Sequence, residues 1–204
     1  IGEIYDALPP LKYSADFCGS ITDAVSALTG LLPGTPVAGG MFDVDACAVA
    51  AGVTRAGQIC TITGTWSINE FIAPKPITGT QIAMNSIYAI PGYYLLEESS
   101  ATSAGNLEWV IENCMDTRGL SGNTLYNYLA EQVAAIPPEE CEVYYLPFLY
   151  GSNAHALAKA SFVGLTSYHT AAHMVRAVYE GVAYSHRAHI DKLLSVAEKP
   201  DSIR

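Results

Sequence analysis

Apolar and polar positions alternate at a period of two along residues 58–72, with a Thr-Gly-Thr turn at 63–65 in the middle. That pattern predicts two strands of a hairpin. A second β-prone, aromatic run covers residues 87–96 and predicts a further strand of the same sheet. Elsewhere the period lengthens to that of a helix. Met174, Val178 and Val182, then Ile190 and Leu194, recur at four-residue spacing behind Thr170, which predicts a long capped helix ending near Ala197. Shorter helices are predicted over residues 22–28, over 106–114, and from Ser121 to about residue 135, where Pro137-Pro138 stops the last of them. Residues 141–151 read as a buried strand entering a loop, and the terminal "DSIR" as the start of another strand.

The stretch "TGLLPGTPVAGGMFDVDACAVAAG" (residues 29–52) has a different character. Pro33, Gly34 and Pro36 mark a turn. Val37 and Ala38 form a short apolar strand, and Gly39-Gly40 end it before Asp43. Ala46, Ala48, Ala50 and Ala51 then continue as a tightly packable helix. A carboxylate at the end of a core strand, beside glycines that let a substrate approach, is well sited as a general base. An N-cap for the following helix explains Asp43 equally simply. Asp45, two residues on, reads as a solvated helix-start carboxylate.

Composition narrows the field. The chain has 204 residues, 50% hydrophobic and 15% charged, which suits one large domain or parts of two. Its formal net charge of −10 argues against nucleic acid or an anionic membrane as partner. Residues 76–96 carry no charge, but Pro76, Pro91 and several polar positions speak against a membrane span. Cys18, Cys47, Cys60, Cys114 and Cys141 are scattered without a CxxC pair, and are expected as reduced core residues of a cytoplasmic protein. With Ile1 in first place and no signal-peptide pattern, a piece of a longer protein is expected.

Three further features carry candidate chemistry. Gly64 and Thr65 lie in a strand turn whose backbone N–H groups and hydroxyl suit a phosphate, although a plain hairpin turn has the same composition. "TSAGNLEW" (residues 102–109) is a helix start of small residues that suits an anion or nucleotide, and ordinary capping explains it as well. His169/His173 and His186/His189 have spacings that allow metal pairing, but no Asp, Glu or Cys completes a set, so no metal ligand is assigned. Trp66 and Trp109 are stacking candidates or core residues.

The order of these features resembles the FGGY family of carbohydrate kinases. "TGLLPGTPVAGGMFD" resembles that family's TGL-x-x-GTPV-x-x-GG-x-x-D segment, "GTW" its GTS-type phosphate turn, and "SAGNLEW" its nucleotide-side helix start. "LPFLYGSNA" and "FVGLTSYHTAAHMVRAVYEGVAYSHRAHIDKL" are similar to its later signatures. Within the family the motifs are nearest to the L-xylulose and 3-keto-L-gulonate kinases. The chain departs from the family at Met41-Phe42, where glycines are usual, and at Gly151-Ser152-Asn153, where the family has Gly-Glu.

The resemblance implies an α/β fold of the actin-like ATPase (RNase H-like) type, incomplete in this chain. Residues 1–55 would be the end of a first, sugar-side domain and residues 56–204 the beginning of a second, nucleotide-side domain. It implies ATP-dependent phosphorylation of a sugar primary hydroxyl, a ketopentose or keto-sugar acid, with Asp43 as base. Gly64, Thr65, Ala104, Gly105 and Glu108 would lie along ATP, and Phe42, Asp43 and Trp66 against the sugar. Mg²⁺ ligands are expected mainly outside the chain. A catalytically silent fragment acting only in binding or assembly is the alternative expectation. Apolar surface near residues 30–55 is expected to stay open and favour self-association, a homodimer included.

Overall fold

In the computed structural model, residues 6–79, 82–197 and 199–204 are described. The chain begins with a two-stranded antiparallel ribbon, β1 (Phe17–Ser20) and β2 (Pro36–Ala38), joined through helix α1 (Asp23–Thr29). Thr22 caps α1 by accepting from the Val25 N–H at 3.3 Å, and Gly30 closes it at φ 78°, a conformation glycine adopts without strain. The sequence predicts a core strand at Val37-Ala38, but all three residues of β2 are exposed. The short helix α2 (Asp43–Ala50) follows, with Val44, Asp45 and Ala48 buried.

The central sheet is built from β3 (Gln58–Thr63), β4 (Ser67–Ala73), β5 (Met84–Ile87), β6 (Tyr94–Ser100) and β9 (Ser202–Ile203), in the order β5-β6-β4-β3-β9. All neighbours are antiparallel except β3 and β9. "DSIR" supplies the two-residue strand β9 parallel to β3, and the 87–96 run divides into the end of β5, a turn and β6.

Period-two alternation sends side chains to two covered faces. Cys60, Ile72 and Leu95 pack on one face against Val44 and Ala48 of α2, with Ile62 and Ile68 at the margin. Ile59, Phe71 and Leu96 pack on the other against Leu193 of α5 (Ala171–Leu194). Because β4 is covered on both sides, even Asn69 and Glu70 are fully buried.

A second layer surrounds α5. Helices α3 (Ala104–Cys114) and α4 (Gly122–Ala134) meet it through Ile111, Leu125, Leu129 and Val175. The hairpin of β7 (Tyr144–Leu146) and β8 (Ser161–Val163) packs on Ala177 and Val178 through Val143 and Tyr145. A side chain at Gly181 would collide with the Tyr145 carbonyl oxygen, so glycine is what lets α5 approach β7. Among the described residues no helix is long and apolar enough to cross a membrane.

Candidate active site

The turn between β3 and β4 is a three-residue loop, Gly64-Thr65-Trp66, closed by the Thr63–Ser67 pair and a Gly64 N–H to Trp66 carbonyl bond of 3.2 Å. It is tied to the start of α3, because the Ala104 N–H donates to the Gly64 carbonyl at 3.0 Å. Gly105 lies against the same loop. A Cβ there would stand 3.3 Å from the Tyr150 ring and 3.6 Å from Thr65 Cγ2. The structure thus brings Gly64, Thr65, Ala104 and Gly105 into one cradle, with Trp66 on its loop and Glu108 exposed one turn further along α3. A Cβ at Gly64 would meet nothing within 4 Å, so this turn presents open backbone. Ser103 occupies the N-cap position of α3 without a side-chain capping bond, leaving the helix's first N–H groups to other acceptors.

Asp43 lies at the start of α2. Phe42, not Asp43, is the N-cap residue, with extended backbone and no capping side chain. Asp43 is the first helical residue, exposed, with Oδ1 accepting its neighbour Val44's N–H at 3.0 Å. Its charge stands at the positive end of the helix. Helix α2 and the Gly64–Trp66 turn share one core, since Ile62 and Ile68 flank the turn and pack with Val44 and Ala48. Among the described residues no hydrogen bond joins Asp43 to the turn.

A cavity of about 770 Å³ opens beside α2, lined by Tyr13, Met41, Phe42, Asp45, Tyr88 and their neighbours but not by Asp43. Gly39 serves the chain itself, not a substrate: a Cβ would fall 2.5 Å from the Tyr13 carbonyl oxygen. The Gly39 and Gly40 N–H groups donate to the Asp16 and Ser14 carbonyls, both at 3.1 Å.

Several sequence expectations change. Asp45 is 5% exposed, not solvated, because the third helical position turns toward the sheet. Burial raises its pKa, helped by Glu97 and opposed by a hydrogen bond from the Ala89 backbone. Cys18, Cys47 and Cys114 are exposed, and only Cys60 and Cys141 are core residues; all five are free thiols. Trp66 and Trp109 are 52% and 40% exposed, so neither is a core residue here.

The histidines divide by environment. His169 and His173 accept N–H bonds from Thr166 and Thr170 through Nδ1, at 2.9 and 3.2 Å. That tautomer keeps the proton on Nε2 and caps turns. His186 and His189 are buried against the sheet. His186 meets Asn69 and Thr63, and His189 Nε2 meets Ser100 Oγ at 2.7 Å, which continues to Thr102 and Ser185. Burial lowers both imidazole pKa values, opposed at His189 by Glu98. The only sequence signal for this network was the three-residue spacing of the two histidines on a long helix. Among the described residues no group of three His, Cys, Asp or Glu side chains is arranged to hold a metal.

Residues 60–204 match the FGGY family of carbohydrate kinases, C-terminal domain. The chain belongs to the FGGY family of carbohydrate kinases. Over 95% of its length it is 38% identical to the L-xylulose/3-keto-L-gulonate kinase of Escherichia coli (strain K12), of which it covers 38%. Over 91% of its length it is 35% identical to a probable L-xylulose kinase of Pasteurella multocida (strain Pm70), covering 37% of that protein. The chain therefore spans less than two fifths of the length of these FGGY relatives.

Among solved FGGY structures, the xylulose kinase from Rhodospirillum rubrum superposes with a TM-score of 0.81 at 27% identity, covering 96% of this chain and 39% of that one. The ligand-bound xylulose kinase from Lactobacillus acidophilus gives the same TM-score of 0.81 at 21% identity, over 100% of this chain and 42% of the other, and speaks for the fold alone. The mixed sheet with helices on both faces is that of the actin-like ATPase fold of FGGY kinases.

Proposed function

We propose that the protein carrying this chain transfers a phosphoryl group from ATP to the primary hydroxyl of a sugar. The favoured acceptors are L-xylulose or a related ketopentose and the keto-sugar acid 3-keto-L-gulonate. The observation that carries the reading is the joined cradle of Gly64, Thr65, Ala104 and Gly105 on the same core as the Asp43 helix, in a chain similar over 95% of its length to an L-xylulose/3-keto-L-gulonate kinase. In this reading residues 1–55 close a sugar-side domain and residues 56–204 open a nucleotide-side domain.

Phosphoryl transfer asks little covalent chemistry of a protein, so alignment and charge stabilisation supply most of the rate. Asp43 takes the proton of the attacking hydroxyl; its exposed carboxylate, in no ion pair among the described residues, is open to a substrate. The turn at Gly64-Thr65 offers the phosphates the Thr65 N–H and hydroxyl, the Gly64 N–H being bonded to Trp66, and Ala104, Gly105 and Glu108 run along the nucleotide. Phe42, which lines the cavity beside α2, and exposed Trp66 shape the sugar side. ATP supplies the transferred phosphoryl group, and the cradle's open backbone fits its phosphates. The described residues offer no set to hold Mg²⁺, so no step is assigned through it. Free thiols at all five cysteines accord with a reducing, cytoplasmic compartment.

The test is ADP release by the intact protein with L-xylulose, 3-keto-L-gulonate, D-xylulose and glycerol in parallel. Ketose-dependent turnover is expected. Nucleotide binding without turnover on any sugar would contradict the reading and favour a silent binding module.

A further inference from the structure

The sheet face under α2 holds carboxylates that phosphoryl transfer does not use. Glu70 on β4 and Glu97 on β6 stand directly opposite each other in register, and the alternation that sends Ile72 and Leu95 toward α2 sends both of them there as well. Asp45 reaches the same region from the first turn of α2. The three are 0%, 7% and 5% exposed. Among the described residues both Glu70 oxygens, Glu97 Oε2 and Asp45 Oδ1 are buried without a hydrogen-bond partner, while the Asp45 carboxylate accepts one bond from the Ala89 backbone.

The other titratable groups facing them are Asp43 and Cys47 from α2, Cys60 from β3 and Tyr88 from the β5–β6 connection. None of these carries positive charge; exposed Lys12 and half-buried Asp16 share the cavity that Asp45 lines, and the Tyr88 hydroxyl is committed to the Val53 carbonyl at 2.8 Å. The opposite sheet face shows the contrast. There Glu98 is met by Lys192 at 2.8 Å and by the Ala83 N–H at 2.6 Å. Three buried carboxylates without a buried counter-charge among the described residues cannot all be ionised, because each uncompensated charge costs more than a short helix's packing returns.

We propose that Asp45, Glu70 and Glu97 form a proton-holding joint between α2 and the sheet, in which Glu70 is a positioning residue that keeps Asp43 seated. The role assigned to Asp43 rests on the kinase reading; the joint itself does not. With the proton present, Glu70 is neutral and its repulsion from Glu97 and Asp45 is removed. Without it, like charges repel across adjacent strands and from the helix, and the packing of Val44, Ala48 and Val49 has to hold α2 down against them. Burial, then Glu97, Asp45 and Asp43, push the Glu70 carboxyl up to about 8, so the joint loosens just above neutral pH.

Amide hydrogen exchange of residues 43–50 in the full chain tests this, corrected for intrinsic rates and compared between about pH 7 and about pH 9. In the wild type, protection of α2 is expected to fall about tenfold over that range, while Glu70→Gln, which cannot ionise, keeps it constant. An equal fall in both proteins, or none in the wild type, overturns the joint. Should Glu70→Gln fail to fold, the infrared carboxylic-acid band of the wild type decides. A protonated carboxyl that titrates near pH 8 supports the proposal, and its absence at neutral pH overturns it. In the intact enzyme, kcat should fall over the same range for the wild type alone, with the KM for ATP unchanged. A constant α2 in Glu70→Gln together with no sugar kinase activity in either protein would refute the kinase reading and leave the joint standing.

Discussion

A methyl group at Gly39 would sit 2.5 Å from the Tyr13 carbonyl oxygen, a backbone atom with little room to yield. Gly39→Ala is therefore expected to destabilise the protein by about 1–3 kcal/mol in urea unfolding, without altering nucleotide affinity. Gly105 makes the opposite prediction. A Cβ there meets Tyr150 and Thr65 at ordinary to tight distances, so Gly105→Val should fold but fill the cradle. The expected result is a nucleotide Kd weakened by about tenfold or more, roughly 1.4 kcal/mol, seen by calorimetry. Which glycines matter was legible in the sequence; what they approach was not, since Gly39 serves the Tyr13–Asp16 backbone. Asp43 was likewise legible as a lone carboxylate before an alanine-rich helix. Asp45 was misread because only the helix phase, set by packing of Val44 and Ala48, decides which of the two carboxylates turns inward.

Long α5 was readable because a 24-residue helix repeats its apolar spacing many times, whereas β7 and β8 have three residues each and no period to detect. Glu97 and Glu98 follow the apolar run that ends at Leu96, and their burial follows only from the pairing of β6 with both β4 and β5. The contact of α5 with the sheet has a pH signature of its own. His186 and His189 have pKa values lowered by burial, so the folded state binds fewer protons than the unfolded chain below about pH 6.5. Stability from these groups is full above that value and is lost as pH falls. Replacing His189 by Gln, which can still bond Ser100, should flatten the acid limb of a melting-temperature profile. Glu70 acts in the other direction. Its raised pKa makes the folded state bind more protons between about 4.5 and about 8, so stability falls across that range as pH rises. The slope is at most about 1.4 kcal/mol per pH unit.

At the scale of the molecule, the first segment stands out because α1 buries none of its residues. Leu11 and Leu28 are each 87% exposed and Leu32 is 77% exposed, an apolar strip that water covers at a cost. Produced by itself, the 204-residue chain is expected to self-associate in sedimentation velocity, and a Leu28→Lys, Leu32→Lys double substitution to return it toward monomer. A concentration-independent monomer in both cases would contradict this. The sheet and the long helix, by contrast, share a packed core, with α2 covering the sheet's second face. In the proposed kinase Asp43 is the base, and the phosphate cradle is the Gly64–Thr65 turn joined to the helix start at Ala104 and Gly105. The most direct test is ketose-dependent ADP formation by the intact enzyme with Asp43→Asn, alongside nucleotide affinity for the same variant. A kcat lowered by about a hundredfold or more with an unchanged Kd for ATP is expected. Turnover equal to that of the wild type would contradict it.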